Sequence, residues 1–255
     1  MKKTWWILVC ILVAAGTLAA QGNPGGNYNS QGSGANVLNY IVSPNSIVFS
    51  KTFSEWDASW QQWAYSIPVT NHPLFDKGDC SVGQSGMVWF LGGKFCDNSY
   101  NCSYQNVQRT CSVPAGKFLY FPVANGEDSA IEESTSEHPG DISYQQIAYL
   151  RQFEDPWLVS PPVEFASIDG IPVPDLMRYS VQSNVFSFTI PEDNYLKVVY
   201  GQPNDYPAGT YYPAVDQGQY LMLAPLPPGR HVIQFGAAWS TGFAFDVTYT
   251  VNVQK

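Results

Sequence analysis

The end of the chain sets the strongest limit on what it can fold into. From Phe243 to Val253, apolar and polar residues alternate without interruption. The apolar set is Phe243, Phe245, Val247, Tyr249, Val251 and Val253, with Ala244, Asp246, Thr248, Thr250 and Asn252 between them. A period of two is the repeat of a β-strand, whose successive side chains point to opposite faces. The segment therefore predicts a strand with one packed and one wet face, as in an antiparallel sheet.

Short segments that are apolar or alternate between apolar and polar residues, bounded by turn-forming residues, recur through the rest of the chain. They are Met87–Leu91, Phe118–Val123, Val163–Ile168, Val185–Ile190, Tyr220–Leu223 and Arg230–Phe235. Asp169-Gly170 is a strong hairpin signal. The chain also has 21 glycines and 19 prolines, while charged residues make up only 13%. This pattern predicts a mainly β fold: a single antiparallel β-sandwich or jelly-roll-like domain.

Two helices are predicted within this β pattern. The first, over residues 54–66, follows an S-x-x-D capping pattern formed by Ser54 and Asp57. The second, over residues 141–154, begins with Asp141 as its N-cap. The first helix carries three tryptophans on one face: Trp56, Trp60 and Trp63. Such a stripe is either core or a sugar-stacking platform, and the core interpretation is favoured because it is the commoner role.

The first 20 residues have the pattern of a cleavable signal peptide. Two lysines precede an apolar run from Trp5 to Ala15, and small residues end the segment at Ala20. The run is short for a membrane span, although an uncleaved anchor is the alternative. Residues 21–36 are rich in Gly, Asn and Gln and are predicted to form a flexible linker. The folded, disulfide-stapled domain is predicted to cover residues 37–255.

Cleavage leaves an acidic protein. The chain has 12 basic and 21 acidic residues, and loss of Lys2 and Lys3 leaves 10 basic residues and a formal charge of −11. An acidic surface does not favour nucleic acid or anionic membranes as partners. We therefore expect a secreted or periplasmic protein, with no nucleic-acid partner and no membrane contact after cleavage.

Four cysteines follow residue 20: Cys80, Cys96, Cys102 and Cys111. An even number in an exported chain predicts two disulfides, for which three pairings are possible. The favoured pairing joins Cys80 to Cys111 and Cys96 to Cys102, since the short inner loop contains the turn formers Asp, Asn and Ser. A four-thiolate zinc site is the alternative, but the spacings lack the C-x-x-C pairs typical of such sites.

A dense acidic segment, residues 124–141, supplies the first candidate site. Its candidate residues are Asn125, Glu127, Asp128, Glu132 and Glu133. The favoured interpretation is a solvated loop that aids solubility. The alternatives are a calcium or other ligand site built from oxygen atoms, and the acid and base of a glycoside hydrolase. The segment lacks the D-x-[DN]-x-[DN]-G pattern, which weakens the calcium case, and no other metal or cofactor is predicted.

Tyrosines are concentrated in the Gly- and Pro-rich region 191–220. Those taken as ligand-binding candidates are Tyr206, Tyr211 and Tyr212, beside Tyr195, Tyr200 and Tyr220. Tyrosines on loops bind sugars by ring stacking and through their hydroxyl groups. The alternative, which is favoured, is that the rings pack at strand ends with their hydroxyls in water.

Standard catalytic patterns are absent from the sequence. There is no G-x-S-x-G, H-E-x-x-H, P-loop or G-x-G-x-x-G. The three histidines, His72, His138 and His231, are far apart along the chain. Arg109 is predicted to form a structural salt bridge with Asp76 or Glu127. No catalytic residue is assigned, and whether the chain is an enzyme stays open, with a binding role favoured.

Several blocks resemble a family of uncharacterised exported bacterial proteins. The blocks are Trp60-Gln-Gln-Trp-Ala64, Asn71-His-Pro-Leu-Phe-Asp76, Gly83-Gln84, Val88-Trp-Phe-Leu91, Arg109–Lys117, Phe121-Pro-Val-Ala-Asn125 and Leu226–Gly236. The family has no established activity, so the resemblance implies an exported single domain and transfers no catalytic residue. It also implies that Cys80 and Cys111 are the regular pair, with Cys96 and Cys102 as an addition. The L-P-P-G-x-H block is similar to the closing hairpins of extracellular Ig-like sandwiches.

Three functions follow from these observations, in order of preference. The first is recognition of an extracellular partner, and the aromatic residues favour a polysaccharide because sugar rings stack on them. The second is a passive, self-associating component of an envelope or matrix. The third is an exported glycoside hydrolase that uses the acidic residues 127–133.

Overall fold

The computed structural model describes residues 36–95, 105–134, 147–152, 162–201, 206–240 and 243–255, all within one compact unit. Its strands are β1 Val88–Phe90, β2 Gln105–Val113, β3 Phe118–Ser129, β4 Val163–Ile168, β5 Ile171–Pro172, β6 Ser180–Gln182, β7 Phe186–Ile190, β8 Gly209–Leu223, β9 Gly229–Ala238 and β10 Ala244–Val253. Its α-helices are α1 Phe53–Ser66, α2 Ala130–Ser134, α3 at residues 147–152 and α4 Tyr195–Tyr200. Short 3-10 helices cover Val37–Tyr40, Val69–Asn71, Pro73–Phe75 and Leu176–Tyr179.

The strands form two five-stranded sheets. The first has the order β1-β3-β8-β6, with β7 also paired to β8, and the second has the order β2-β10-β9-β4-β5. The mainly β, sandwich-like architecture predicted from the sequence is confirmed. Both sheets are mixed, because β1 runs parallel to β3 and β2 runs parallel to β10. Alternation along a strand reports which face is buried and not the direction of its neighbour, so the sequence pattern could not reveal these parallel pairs.

The core between the sheets uses the predicted apolar face of the last strand. Val247, Tyr249 and Val251 of β10 are buried, and Phe235 of β9 lies opposite Val247. The Phe235 ring stacks on Phe121 of the first sheet with 4.9 Å between ring centroids. Each such apolar side chain contributes roughly 1.5–3 kcal/mol when fully buried.

Helix α1 covers the other face of the first sheet. Its three tryptophans are all buried, with Trp60 only 3% exposed. The Trp60 indole Nε1 donates a hydrogen bond to the Leu91 carbonyl at 2.7 Å. The core interpretation of this stripe is therefore confirmed over the sugar-stacking platform.

The start of α1 corrects the predicted cap. Thr52 is the N-cap: its Oγ1 accepts from the Glu55 backbone N–H at 3.3 Å, and Glu55 Oε2 accepts from the Thr52 N–H at 2.7 Å. Ser54 lies in the first turn, and Asp57 is buried against the sheet. Two overlapping S/T-x-x-acid patterns compete here, and burial of Asp57 leaves Glu55 to complete the capping box.

Two further sequence predictions concern covalent and local structure. Cys80 and Cys111 form a disulfide with 5.7 Å between their Cα atoms. Asp169 and Gly170, at φ 51° and 77°, form the turn between β4 and β5. Two positive φ values are what a two-residue hairpin turn of type I′ requires. The signal peptide, the linker up to residue 35, Cys96, Cys102 and the proposed cap Asp141 lie outside the described residues.

Membrane insertion by helices has no support in the described residues. None of their helices combines the length and the apolar composition that a bilayer crossing requires.

Candidate functional site

A β-bulge in β3 decides which acidic side chains face α1. Tyr120 pairs with Met222 and Pro122 with Tyr220, but the register then shifts between Pro122 and Ala124. Past the shift, Asn125 and Glu127 lie opposite Gly218 and Asp216, on the face that Tyr220 and Met222 share. One extra residue in a strand reverses its alternation of faces. The bulge therefore turns Glu127 toward α1 and Asp128 away from it.

A pocket of about 210 Å³ lies beside this part of β3. Strand β1 ends at Phe90, which pairs with Tyr120 of β3. Beyond Tyr120, β8 is therefore the one described strand that pairs with β3. Polar side chains from α1, β3, α2 and α4 reach the pocket: Gln61, Tyr65, Asn125, Glu127, Glu132, Tyr195 and Tyr200. Aromatic rings from the loop after β1 and from the β9–β10 end complete it: Phe95, Trp239, Phe243 and Phe245.

Glu127 and Glu132 form a buried carboxyl pair in the pocket wall. The Tyr65 hydroxyl donates to Glu127 Oε2, the Ser129 hydroxyl donates to Glu132 Oε2, and the Tyr200 hydroxyl donates to Glu132 Oε1 at 3.0 Å. Burial, and then the neighbouring Glu132 charge, raise the pKa of Glu127 well above its ordinary value. Burial also raises the pKa of Glu132, although hydrogen bonds from its neighbours oppose the shift. Burial and the repulsion between the two charges therefore disfavour ionisation of both acids at once.

A third buried acid, Asp216, lies behind the pocket and orients two amides in its wall. Asp216 Oδ2 accepts from Gln61 Nε2 at 2.7 Å and from Asn125 Nδ2 at 2.9 Å, and its Oδ1 accepts from the Tyr220 hydroxyl at 2.6 Å. Asp57 also hydrogen-bonds to Asp216, and burial raises the pKa of Asp216. Both amides turn their nitrogen atoms toward Asp216 Oδ2, which accepts from them, and this fixes their orientation.

Arg109 holds another part of the pocket wall. Its guanidinium pairs with Asp76 at 2.7 Å, so the partner that the structure shows is Asp76 and not Glu127. Its Nη1 donates to the carbonyl groups of Gly92 and Gly93 at 2.9 and 2.7 Å. These bonds fix the backbone that leads into Lys94 and Phe95, which line the pocket.

For residues 124–134, the part of the acidic segment that the structure describes, the interpretation as a solvated loop is wrong. Asn125, Glu127 and Asp128 lie in β3, whereas Glu132 and Glu133 lie in α2. Asp128 is 7% and Glu132 8% exposed. Asn125, Glu127 and Glu132 meet at the pocket, whereas Asp128 and Glu133 do not line it. The strand continues into this segment because β8 pairs with it as far as Ser129, a tertiary contact that overrides its polar composition.

The predicted tyrosine loop is also wrong in its placement. Tyr211 and Tyr212 lie in the long strand β8, and Tyr206 is 1% exposed in an apolar cluster beside Phe188 and Leu196. Tyr211 donates to the Pro207 carbonyl at 2.7 Å, and Tyr212 is 65% exposed but does not line the pocket. The tyrosines that do reach the pocket are Tyr195 and Tyr200 of α4, together with Tyr65 of α1.

Several pocket residues gave no usable sequence signal. Gln61, Tyr65 and Trp239 come from an amphipathic helix and a hairpin end, where such residues ordinarily serve packing or solvation. Phe243 and Phe245 belong to the alternating strand and were assigned to its packed face. The one clue was a third aromatic residue, Trp239, just across the turn from that pair.

No group of three or more His, Cys, Asp or Glu side chains within the described ranges is placed to hold a metal ion. His72 is fully buried, with Nε2 bonded to the Ala64 carbonyl and Nδ1 accepting from the Leu74 N–H. His231 is bonded to Asp169 and to the Pro227 carbonyl. His138 lies outside the described residues. Calcium binding remains a prediction.

Comparison with known proteins gives no assignment. No protein-family model matches the chain, and no curated protein matches it. Among solved structures, PbICP-C in complex with falcipain-2 matches at 13% identity over 66% of this chain and 100% of that chain, with a TM-score of 0.26. Amebosin matches at 8% identity over 59% and 98%, with a TM-score of 0.21. The cysteine protease inhibitor EhICP2 from Entamoeba histolytica matches at 9% identity over 60% and 96%, with a TM-score of 0.20. These scores are too low to carry an argument about fold or function.

Proposed function

We propose that the protein is an exported carbohydrate-binding protein whose pocket takes one sugar unit of an extracellular polysaccharide. The observation that carries the proposal is a pocket in which three half-buried aromatic rings and a set of oriented polar groups meet. Sugar rings stack on aromatic faces, and their hydroxyl groups bond to carboxylate and amide oxygens. The pocket volume of about 210 Å³ suits a single ring better than a larger ligand.

The aromatic side of the pocket is a compact cluster. Ring centroids are 5.1 Å apart for Trp239 and Phe243, 5.8 Å for Trp239 and Phe245, and 6.1 Å for Phe243 and Phe245. The three side chains are only half-buried, although their combined apolar area is large. Exposed aromatic residues gathered at one point are typical of binding sites.

Binding is favoured over glycoside hydrolysis by the closeness of the two acids. A glycosidase holds its carboxyl groups about 5–5.5 Å apart for retention or about 6.5–9.5 Å apart for inversion, so that the scissile bond fits between them. Glu127 and Glu132 are instead in direct side-chain contact. A scissile bond does not fit between two carboxyl groups that touch each other.

Two observations that do not depend on the pocket support export. The first 20 residues have a signal-peptide pattern. The disulfide between Cys80 and Cys111 is typical of proteins in oxidising compartments. Self-association in an envelope or matrix is a separate prediction, which sedimentation of the purified protein tests.

Affinity electrophoresis of the full chain on gels that contain different soluble polysaccharides tests the proposed function. We expect retardation on at least one polysaccharide and a fall of at least about tenfold in affinity for Trp239→Ala, because aromatic anchors in pockets commonly contribute 2 kcal/mol or more. Phe49→Ala is the matched control: Phe49 is 47% exposed and does not line the pocket. Absence of retardation on every polysaccharide, or equal losses in both variants, would contradict the proposal.

A further inference from the structure

Four polar side chains of the pocket wall direct a hydrogen-bond donor to a buried acid. Asn125 and Gln61 each give one N–H of the NH₂ group to Asp216 and keep a second N–H and a carbonyl oxygen. Tyr65 and Tyr200 direct their hydroxyl protons to Glu127 and Glu132. Glu127 and Glu132 also line the pocket, so their carboxyl oxygens are acceptors that a ligand can reach.

One of these acceptors lacks a donor. Glu127 Oε1 is buried and has no hydrogen-bond donor among the described residues. Its carboxyl neighbour, Glu132, supplies a hydrogen bond only when a proton is held between them. A buried acceptor without a donor costs about 1–3 kcal/mol, so a ligand that brings a proton donor is favoured at this point.

The charges around the pocket favour a cationic ligand. A cation in the pocket would offset the cost of ionising Glu127 and Glu132, and Asp216 lies opposite Glu127 in the neighbouring strand. Lys94 is the cationic side chain among the described lining residues, and its ammonium is held by Asp76 at 2.9 Å. The aromatic cluster adds ring faces, which attract cations through their quadrupoles.

We propose that the pocket recognises a protonated primary amine, so that the sugar unit it takes is a hexosamine with a free amino group. The amine donates to Glu127 and Glu132, and the sugar ring packs on Trp239, Phe243 and Phe245. An N-acetyl group in the same place brings no positive charge to the two carboxyl groups, and a uronic acid brings a repelled negative charge. The sugar part of this inference rests on the proposed function, whereas the amine part does not.

Three β-1,4-linked oligosaccharides of equal length that differ only at C2 test the proposal. They carry an amine (chitosan type), an acetamide (chitin type) or a hydroxyl group (cellulose type), and cyclohexylamine serves as a ring with an amine and no hydroxyl groups. Titration calorimetry with the full chain is expected to give at least about tenfold tighter binding of the amine-bearing oligosaccharide than of its two analogues. Glu127→Gln should reduce that preference, because a neutral amide has no charge to offer.

Nonspecific attraction of a cationic oligosaccharide to an acidic protein needs a control. Glu192→Gln makes the same chemical change at an exposed carboxylate, paired with Lys197 at 2.7 Å and outside the pocket lining. If Glu192→Gln weakens binding as much as Glu127→Gln does, bulk charge is responsible and the proposal fails.

The remaining outcomes separate the amine inference from the proposed function. Equal binding of all three oligosaccharides overturns amine recognition and leaves a sugar pocket. Binding of cyclohexylamine as tight as that of the amine-bearing oligosaccharide supports amine recognition and overturns the sugar. Absence of binding to all four probes overturns both.

Discussion

At the scale of single residues, the unusual feature is the concentration of buried acid groups around one pocket. Glu127, Glu132 and Asp216 all have raised pKa values, and burial is the first cause in each case. Buried carboxyl groups reduce the stability of a fold unless they are paired and hydrogen-bonded. Retaining them beside a pocket is what we expect of a site where ligand recognition outweighs stability.

Replacement of one acid of the pair should therefore stabilise the protein. A carboxyl group whose pKa is raised on folding binds more protons in the folded than in the unfolded state, so the free energy of unfolding falls as pH rises above about 4.5. Glu127→Gln removes this loss and supplies an NH₂ donor toward Glu132. We expect the variant to gain on the order of 1–2 kcal/mol at pH 8 and much less at pH 4.5.

Urea denaturation at both pH values measures this difference. Glu192→Gln is the control, because the hydrogen bond from Lys197 lowers the pKa of Glu192, so its replacement should give no gain in stability that grows with pH. A Glu127→Gln variant that is less stable than the parent at pH 8 would show that the buried Glu127–Glu132 pair does not destabilise the fold.

At the scale of elements, the bulge in β3 and its contact with β8 position the site. Gly218 of β8 lies opposite Asn125, and a Cβ atom there would sit 2.3 Å from the Ala124 carbonyl oxygen and 2.6 Å from the Asn125 Cα. A side chain at this position would therefore push the bulged part of β3 away. The bulge determines that Glu127 faces α1. The close packing of Gly218 against β3 therefore also determines the position of Glu127 in the pocket.

Gly218→Ala should consequently destabilise the fold and weaken ligand binding together. We expect a loss of about 1–3 kcal/mol, the usual cost of inserting a group into a packed region. Gly209→Ala on the same strand is the matched control, because a Cβ atom there meets Tyr211 at an ordinary 3.6 Å. Equal melting temperatures for the two variants would contradict the role given to the Gly218 contact.

At the scale of the whole molecule, a few links tie the loops on both sides of β1 to the second sheet. The Cys80–Cys111 disulfide joins the loop before β1 to β2, and Arg109 of β2 pairs with Asp76 in that loop. Arg109 also bonds the carbonyls of Gly92 and Gly93 in the loop after β1, which leads into the pocket wall at Lys94 and Phe95. The disulfide and the Arg109 bonds therefore stabilise the fold and also hold this part of the pocket wall in place.

Loss of the disulfide should be costly. The two cysteines are 31 residues apart, and closing a loop of that length stabilises a fold by about 4 kcal/mol in the chain-entropy model, with 2–4 kcal/mol typical of measurements. We expect urea denaturation of the Cys80→Ser, Cys111→Ser double variant to show a free energy of unfolding lower by about 2–4 kcal/mol. The Cys96→Ser, Cys102→Ser double variant is the comparison; if those cysteines form the predicted short loop, the loss should be smaller. A larger loss from the second double variant would contradict this ranking of the two loops.

The sequence by itself determined the β architecture, helix α1 and the outer disulfide. Alternation from Phe243 to Val253, turn residues such as Asp169-Gly170 and helical spacing of tryptophans are local patterns, and each reflects a backbone geometry that a few neighbouring residues set. Asn125, Glu127 and Glu132 could also be selected as candidates, because acidic residues are dense there. The sequence did not show that these residues are buried beside a pocket, because the composition of the segment is that of a solvated loop.

Only the tertiary structure decided which residues form the site. A one-residue bulge, invisible in the sequence, turned Glu127 rather than Asp128 toward α1. Pairing with β8 buried a polar segment, and convergence of α1, α4 and the β9–β10 end brought Tyr65, Tyr200 and Trp239 to the same pocket. Residues so distant along the chain share no local pattern. Their meeting depends on how sheets and helices pack, and that information is distributed over the whole core.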